Sequence, residues 1–171
     1  METVTPSVSV TKNFVLLLEK LTSLCKQHYV KRLVSLAVFG SVGRGVPRPD
    51  SDIDLLLVIR DLPSGRLQRA AEFHSIETGL APAFAQLAKT GLHVELSPVF
   101  KTPEEVQSGS PLFLDMVDDA RILVDQDDFL KQALQNLKDR LEKLGARRIW
   151  QGDAWYWDLK PDYQPGEVFE I

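Results

Sequence analysis

The stretch that decides the fold is VFGSVGRGVPRPDSDIDLLLV, residues Val38–Val58. An apolar run, Leu33–Phe39, leads into it, and a second apolar run, Ile53–Ile59, closes it. The residues between the two runs are rich in Gly, Pro, Arg and Asp, which favour turns over regular structure. The stretch therefore predicts two buried strands that are joined by a tight connection and lie in one sheet.

The rest of the chain alternates between helical and extended patterns. Apolar residues recur at helical spacing in three segments, and two further segments are typical of strands. The predicted helices are Lys12–His28, Arg66–Lys89 and Asp127–Leu144, and the further strands are Leu92–Phe100 and Arg121–Val124. This order predicts an α+β fold, a mixed β-sheet flanked by α-helices. We expect a flexible segment over residues 1–11, one domain over 12–145, and an aromatic-rich extension over 146–171 that packs on the domain or on a partner.

Composition narrows the possible classes of protein. The chain has 171 residues, a net charge of −4 and one cysteine, Cys25, so no internal disulfide can form. The charge does not indicate a nucleic acid partner. The start of the chain lacks the pattern of a signal peptide, and its apolar runs are too short to span a bilayer. These features predict a cytoplasmic protein without a membrane segment.

Asp52 and Asp54 are the first candidates for chemistry. Strand geometry sends side chains at i and i+2 to one face, while Ile53 points to the other. Two carboxylates about 5 Å apart repel by roughly 3 kcal/mol at an effective dielectric of about 20. A divalent cation removes this cost, and hard oxygen ligands suit Mg²⁺ or Mn²⁺. Mg²⁺ is commonly held by one or two carboxylates together with substrate phosphates, so the pair predicts a phosphate nearby.

The turn before the aspartates offers a place for that phosphate. Gly40 allows the backbone to turn tightly after the strand. Ser41 supplies an N–H and a hydroxyl, and Arg44 and Arg48 supply positive charge. Each feature alone has an ordinary explanation: a Gly-Ser pair as a turn, an Asp-x-Asp pair as a solvated strand end, an arginine as a surface residue. Their combination at this spacing predicts a nucleotide site.

The segment resembles the Gly-Ser-x₁₀-Asp-x-Asp motif of the DNA polymerase β-type nucleotidyltransferase superfamily. It is similar in particular to the minimal nucleotidyltransferases, although Gly43 stands where alanine is usual, a change that we expect to be harmless. The resemblance implies a polymerase β-like fold and transfer of a nucleoside monophosphate from ATP or another NTP to a hydroxyl. It also implies two Mg²⁺ ions, with Mn²⁺ as a possible substitute, and catalytic carboxylates at Asp52 and Asp54.

The resemblance further implies a third catalytic and metal-binding carboxylate on a neighbouring strand. Glu95 is the candidate, on the polar face of the predicted strand Leu92–Phe100. The alternative is a solvated residue on an exposed face of the sheet. His93 shares this facing, and we interpret it as surface or packing.

Three functions fit this pattern. Minimal nucleotidyltransferases often accompany HEPN-domain proteins, so the first is an antitoxin-like enzyme that adds AMP to a HEPN toxin, or that uses a homodimer to hold its acceptor. The second is a binding module that regulates a partner and has little or no activity. The third is a small-molecule nucleotidylyltransferase. The aromatic residues Trp150, Trp155, Tyr156, Trp157 and Tyr163 favour docking or packing of the extension.

Overall fold

The structure is a computed structural model that describes residues 8–152 and 154–171. The first part of the predicted flexible segment, residues 1–7, lies outside the described residues. Helix α1 spans Val8–Tyr29, so it begins before the predicted start at Lys12. Among the helices of the described residues, none combines the length and the apolar character that a bilayer crossing requires.

Residues 8–152 and 154–171 form six strands and five α-helices. The remaining helices are α2 (Gly40–Gly43), α3 (Arg66–Ala88), α4 (Pro103–Gln107) and α5 (Phe129–Lys143). The strands are β1 (Leu33–Phe39), β2 (Ile53–Ile59), β3 (Leu96–Lys101), β4 (Arg121–Asp125), β5 (Arg147–Gln151) and β6 (Ala154–Asp158). Short 3₁₀ helices occupy Val30–Arg32, Pro111–Asp115 and Gln126–Asp128.

The main sheet has the strand order β3-β2-β1-β4. Strand β1 pairs antiparallel with both β2 and β4, whereas β2 and β3 run parallel. The predicted mixed sheet is therefore confirmed, and β1 and β2 have the predicted bounds. Because these two strands are central and covered on both faces, their sequences are continuous apolar runs rather than alternating ones.

Each face of the sheet carries its own hydrophobic cluster. Helices α1 and α3 cover one face, where Ile53, Leu55 and Leu57 of β2 point. The 3₁₀ helix Pro111–Asp115, α4 and α5 cover the other face, where Leu56 and Val58 point. The alternation along β2 thus assigns its even-numbered residues to the face of α5.

Strand β3 begins later than the sequence predicts. Residues 92–95 belong to no strand, and the ladder with β2 starts at the pair Ile53 and Leu96. The chain beside residues 92–95 is the loop that contains Pro47 and Pro49, and a turn in it is closed by the bond from Ser51 N to Arg48 O. Proline lacks the N–H that a ladder needs, so regular pairing cannot extend into this loop.

Helix α5 also begins later than predicted. Asp127 and Asp128 both have φ of 54°, outside the right-handed helical region. Asp125 provides the cap instead, since its carboxylate accepts hydrogen bonds from Leu130 N and Lys131 N. Helix α3, in contrast, begins at the predicted Arg66 and continues through the exposed Pro82 to Ala88.

Strands β5 and β6 form a separate antiparallel pair, which we call the C-terminal hairpin (residues 147–151 and 154–158). It contacts the 3₁₀ helix Pro111–Asp115 and the segment that follows this helix. Trp157 Nε1 donates a hydrogen bond to Leu114 O at 3.2 Å, and Arg148 pairs with Asp119. These contacts bring the hairpin to the edge of the face that carries Asp54.

Candidate active site

Asp54 lies near the start of β2, on the face covered by α5. It pairs with Phe39 in β1 and with Ser97 in β3, so neighbouring strands flank it on both sides. Asp54 is half-buried, and Asp52, which directly precedes the strand, is exposed. Ile53 between them is fully buried on the opposite face. The two carboxylates therefore emerge at one edge of the sheet, as the spacing predicts.

The turn after β1 is in direct contact with Asp54. Gly40 has φ of +65°, and a Cβ added there would lie 2.3 Å from Asp54 Oδ2. Such a distance is far below any real contact, so only glycine permits the carboxylate to occupy this position. The glycine of the predicted phosphate-binding turn and the second aspartate thus belong to one site.

Ser51 organises this turn, and sequence reasoning missed it. Its buried hydroxyl accepts hydrogen bonds from Ser41 Oγ at 3.1 Å and from Arg48 N at 2.8 Å. Val46 N also bonds to Ser41 O, which closes the turn from the other side. The only signal in the sequence was a small hydroxyl residue between two aspartates, a pattern that is common in loops.

Electrostatics at the site disfavours the ionised form of Asp54. Burial, followed by the neighbouring charges of Asp52 and Asp115, raises the pKa of Asp54 above its ordinary 3.8, although Arg44 opposes the shift. Burial also raises the pKa of Asp115, with a further contribution from Asp119. Asp115 is a second residue that the sequence did not single out, because a 3₁₀ helix far along the chain brings it to this face. A cation would relieve the accumulated negative charge.

Glu95 does not join the aspartates in a preassembled cluster. It lies outside β3, directly before Leu96, and its side chain is exposed. Its backbone oxygen accepts a hydrogen bond from Ile53 N at 2.9 Å, which places it beside the start of β2. Within residues 8–152 and 154–171, no group of three acidic, histidine or cysteine side chains is close enough to hold a metal ion. The function of Glu95 as third carboxylate stays a prediction, and His93 is exposed beside it.

The two predicted arginines differ in their surroundings. Arg48 is exposed, and its contact with the turn is through its backbone N–H. The side chain of Arg44 pairs with Asp119, with 3.2 Å between Nη1 and Oδ2. Arg148 of the C-terminal hairpin binds the same carboxylate. Burial opposes ionisation of Asp119, but hydrogen bonds from Arg148 and Arg44 outweigh it and lower the pKa of Asp119.

The surroundings of Gly43 contradict the expectation that glycine is a harmless replacement for alanine at this position. A Cβ at this position would lie 2.6 Å from Asp119 O and 2.9 Å from Val38 O. Both obstacles are backbone atoms, so alanine would displace the chain rather than a flexible side chain. The glycine is therefore not a neutral replacement for the alanine that is usual in the motif.

A cavity of about 690 Å³ lies at the other end of the same face. Val34 at the start of β1 and Arg60 after the end of β2 mark its position. Its walls come from the segment 106–114 and from α5, and none of the predicted site residues lines it. It is thus separate from the aspartate edge of the sheet.

A family model described as "Nucleotidyltransferase domain" matches residues 18–124, which include the whole Gly-Ser turn and both aspartates. The chain belongs to this family. Its fold is the α+β mixed sheet of nucleotidyltransferases, and the protein is an enzyme of that class that uses a nucleoside triphosphate.

Three known proteins are similar to this chain. The nucleotidyltransferase is 28% identical over 141 residues to the "Putative protein adenylyltransferase MJ1305" of Methanocaldococcus jannaschii, covering 81% of this chain and 90% of the relative. A solved toxin–antitoxin structure with AMP-PNP matches at 16% identity and a TM-score of 0.48, covering 74% of this chain and 91% of the other. A spectinomycin adenyltransferase from Enterococcus faecialis, solved with ATP and spectinomycin, matches at 12% identity and a TM-score of 0.50, covering 76% and 66%.

Proposed function

We propose that this nucleotidyltransferase moves AMP from ATP to a hydroxyl of a partner protein, with Mg²⁺ held by Asp52 and Asp54. The observation that carries the proposal is the contact between Asp54 and Gly40. It brings the Asp54 carboxylate and the turn that offers N–H and hydroxyl donors into one small region. That arrangement suits a triphosphate and its metal ion together.

The residues at the site fit a magnesium ion. Asp52 and Asp54 supply only carboxylate oxygens, the ligands that Mg²⁺ prefers. The raised pKa of Asp54, caused by burial and then by the charge of Asp52, indicates a location where a cation is favoured. When bound, Mg²⁺ would neutralise charge on the phosphates and polarise the reacting oxygens. Glu95 is exposed and lies beside the start of β2, next to the two aspartates. Its side chain is therefore the candidate ligand for a second ion.

The remaining residues would orient the substrate. Ser41 would present its N–H to a phosphate oxygen, and its hydroxyl, which donates to Ser51 Oγ in this structure, would turn to the phosphate when the nucleotide binds. Arg44 and Arg48 would neutralise the outer phosphates. Glu95 would accept the proton of the acceptor hydroxyl as that oxygen attacks the α-phosphorus, the bond between the α-phosphorus and the bridging oxygen breaks, and pyrophosphate leaves. Most of the rate enhancement would come from positioning and charge stabilisation.

A protein acceptor is favoured over a small molecule by the name of the archaeal relative, which describes a protein adenylyltransferase. The resemblance of the Val38–Val58 segment to minimal nucleotidyltransferases supports a HEPN-domain toxin as that acceptor. In this proposal the chain is the antitoxin, and the AMP is placed on a Tyr, Ser or Thr hydroxyl. A second copy of the chain would then be unnecessary for holding the acceptor.

The test is co-purification of the natural partner, followed by incubation with Mg²⁺ and α-labelled ATP. We expect label on the partner protein and a mass increase of one AMP on a hydroxyl-bearing peptide. Asp52→Asn and Asp54→Asn should abolish the label, while Asp50→Asn, an exposed neighbour in the same loop, should keep it. Label that persists in either site variant would contradict the proposed site. Label confined to a small molecule would contradict the protein acceptor.

A further inference from the structure

One carboxylate in this structure serves two guanidinium groups. Asp119 Oδ2 lies 3.2 Å from Arg44 Nη1 and 2.6 Å from Arg148 Nη2, and Asp119 Oδ1 lies 3.2 Å from Arg148 Nη1. Arg148 thus makes a two-bond pair, and Arg44 makes a single bond. A paired geometry of this kind is the stronger of the two. The Asp119–Arg44 contact is therefore the weaker of the two, and it breaks more easily than the Asp119–Arg148 pair.

The C-terminal hairpin holds Arg148 in this position. Its guanidinium carbon lies 4.1 Å from the centre of the Trp155 ring and 4.9 Å from that of Trp150. The Trp157 bond to Leu114 O attaches the hairpin to the domain. The Arg148 side chain is 14% exposed, compared with 33% for Arg44. Arg148 is thus enclosed by the hairpin, whereas Arg44 is more open to solvent and has room to turn.

Arg44 connects the Asp119–Arg148 pair to the proposed nucleotide site. Its backbone N–H bonds to Gly40 O, so it directly follows the turn that contacts Asp54. The same turn also lies against Asp119, because Gly43 packs beside the backbone oxygen of that residue. Arg44 can thus pair with Asp119 or turn to a triphosphate at the Gly40 turn, but one guanidinium cannot make both contacts fully.

We propose that Arg148 is a positioning residue that occupies Asp119 and thereby releases Arg44 to the triphosphate; this inference rests on the proposed function. With Arg148 in place, Asp119 keeps a full partner when Arg44 leaves it. Without Arg148, turning Arg44 to the phosphates would leave a nearly buried carboxylate, 9% exposed, without a partner. The hairpin, which lies outside the matched family region of residues 18–124, would in this way control nucleotide affinity.

The test is a double-mutant cycle on binding of Mg²⁺ and AMP-PNP to the full chain. Arg148→Met should weaken binding roughly fivefold, the equivalent of about one kcal/mol. Arg44→Met should weaken it as well. The loss caused by Arg148→Met should vanish in the Arg44→Met background, because there is no longer an Arg44 to release. Asp119→Asn should restore the affinity of Arg148→Met.

Arg147→Met is the matched control, since it removes the same charge from an exposed position on the same strand. It should bind like the wild type. Melting temperatures of all variants show whether they fold. If Arg148→Met does not fold, Arg148→Lys replaces it, because lysine keeps the charge but not the two-bond geometry.

The outcomes separate the two proposals. A wild type that does not bind Mg²⁺ and AMP-PNP overturns the proposed function and this inference with it. A wild type that binds, with Arg148→Met equal to Arg147→Met, overturns the inference alone. An Arg148→Met effect that stays the same size in the Arg44→Met background also overturns it, because a general charge effect or a structural loss would behave in that way.

Discussion

Asp54 and Gly40 fit together so closely that the carboxylate occupies the space of a side chain: a Cβ on Gly40 would lie 2.3 Å from Asp54 Oδ2. The contact joins the end of β1 to the start of β2. It depends on φ of +65° at Gly40, a conformation that other residues adopt at a cost of roughly 1–2 kcal/mol. Conformation and space therefore both require glycine.

Gly40→Ala tests this contact. We expect loss of nucleotide transfer and a lower melting temperature, because the new Cβ must displace the Asp54 carboxylate. Gly91→Ala is the matched control: Gly91 has φ of +81° and no atom within 4 Å of an added Cβ. The control should lower stability through backbone strain alone and keep transfer. Normal transfer by Gly40→Ala would show that the contact is not needed.

Asp54→Asn should abolish transfer without destabilising the metal-free protein. The amide keeps the shape but removes a half-buried charge that burial and Asp52 disfavour. Thermal melts in chelator should give an equal or higher melting temperature than the wild type. Added Mg²⁺ should raise the wild-type melting temperature more than that of the variant, since only a ligand that binds the folded state stabilises it. A clear loss of stability in chelator would contradict this electrostatic explanation.

The stability gap between Asp54→Asn and the wild type should depend on pH. Because the folded-state pKa of Asp54 is raised above 3.8, the folded protein holds this proton more tightly than the unfolded chain does. This carboxyl therefore stabilises the folded state below pH 3.8, and that stabilisation is lost as the pH rises through the raised pKa. In metal-free buffer, the advantage of the variant should be full at neutral pH and should shrink as the pH falls towards 3.8. If the stability difference between the variant and the wild type grows on acidification, the pKa of Asp54 is lowered in the folded protein rather than raised.

The sequence predicted the centre of the fold well and its margins less well. Strands β1 and β2 are continuous apolar runs between turn residues, so their bounds followed from local pattern. Strand β3 was predicted too long because its length depends on its neighbour. The loop of Pro47 and Pro49 ends the pairing, and no pattern within residues 92–100 shows this.

The site, like the fold, has a part that follows from the local sequence and a part that depends on distant segments. The spacing predicted that the Gly40 turn and Asp54 lie together, and their contact is present because the turn follows β1 while Asp54 lies at the start of the antiparallel neighbour β2. Asp119 and Arg148 were missed because they come from distant parts of the chain. Their only local signs were ordinary charged residues near turns. Long-range pairing of this kind is visible only in three dimensions.

Gly43→Ala distinguishes the effect of local propensity from that of tertiary contacts. Gly43 ends α2, and alanine is favoured over glycine in a helix interior by about 1 kcal/mol. A Cβ would nevertheless lie 2.6 Å from Asp119 O, and moving that backbone would disturb the carboxylate that holds Arg44 and Arg148.

We therefore expect Gly43→Ala to lower the free energy of unfolding by about 1–3 kcal/mol, measured by urea titration, because overpacking of this kind outweighs the propensity gain. Gly79→Ala is the control. Gly79 lies inside α3, and the three atoms nearest to its added Cβ all belong to the flexible Leu24 side chain, the closest at 3.1 Å. That variant should be neutral or slightly stabilised. If Gly43→Ala is stabilised to the same extent as Gly79→Ala, the segment around Asp119 yields easily, and the close contact between the turn and Asp119 does not constrain Arg44.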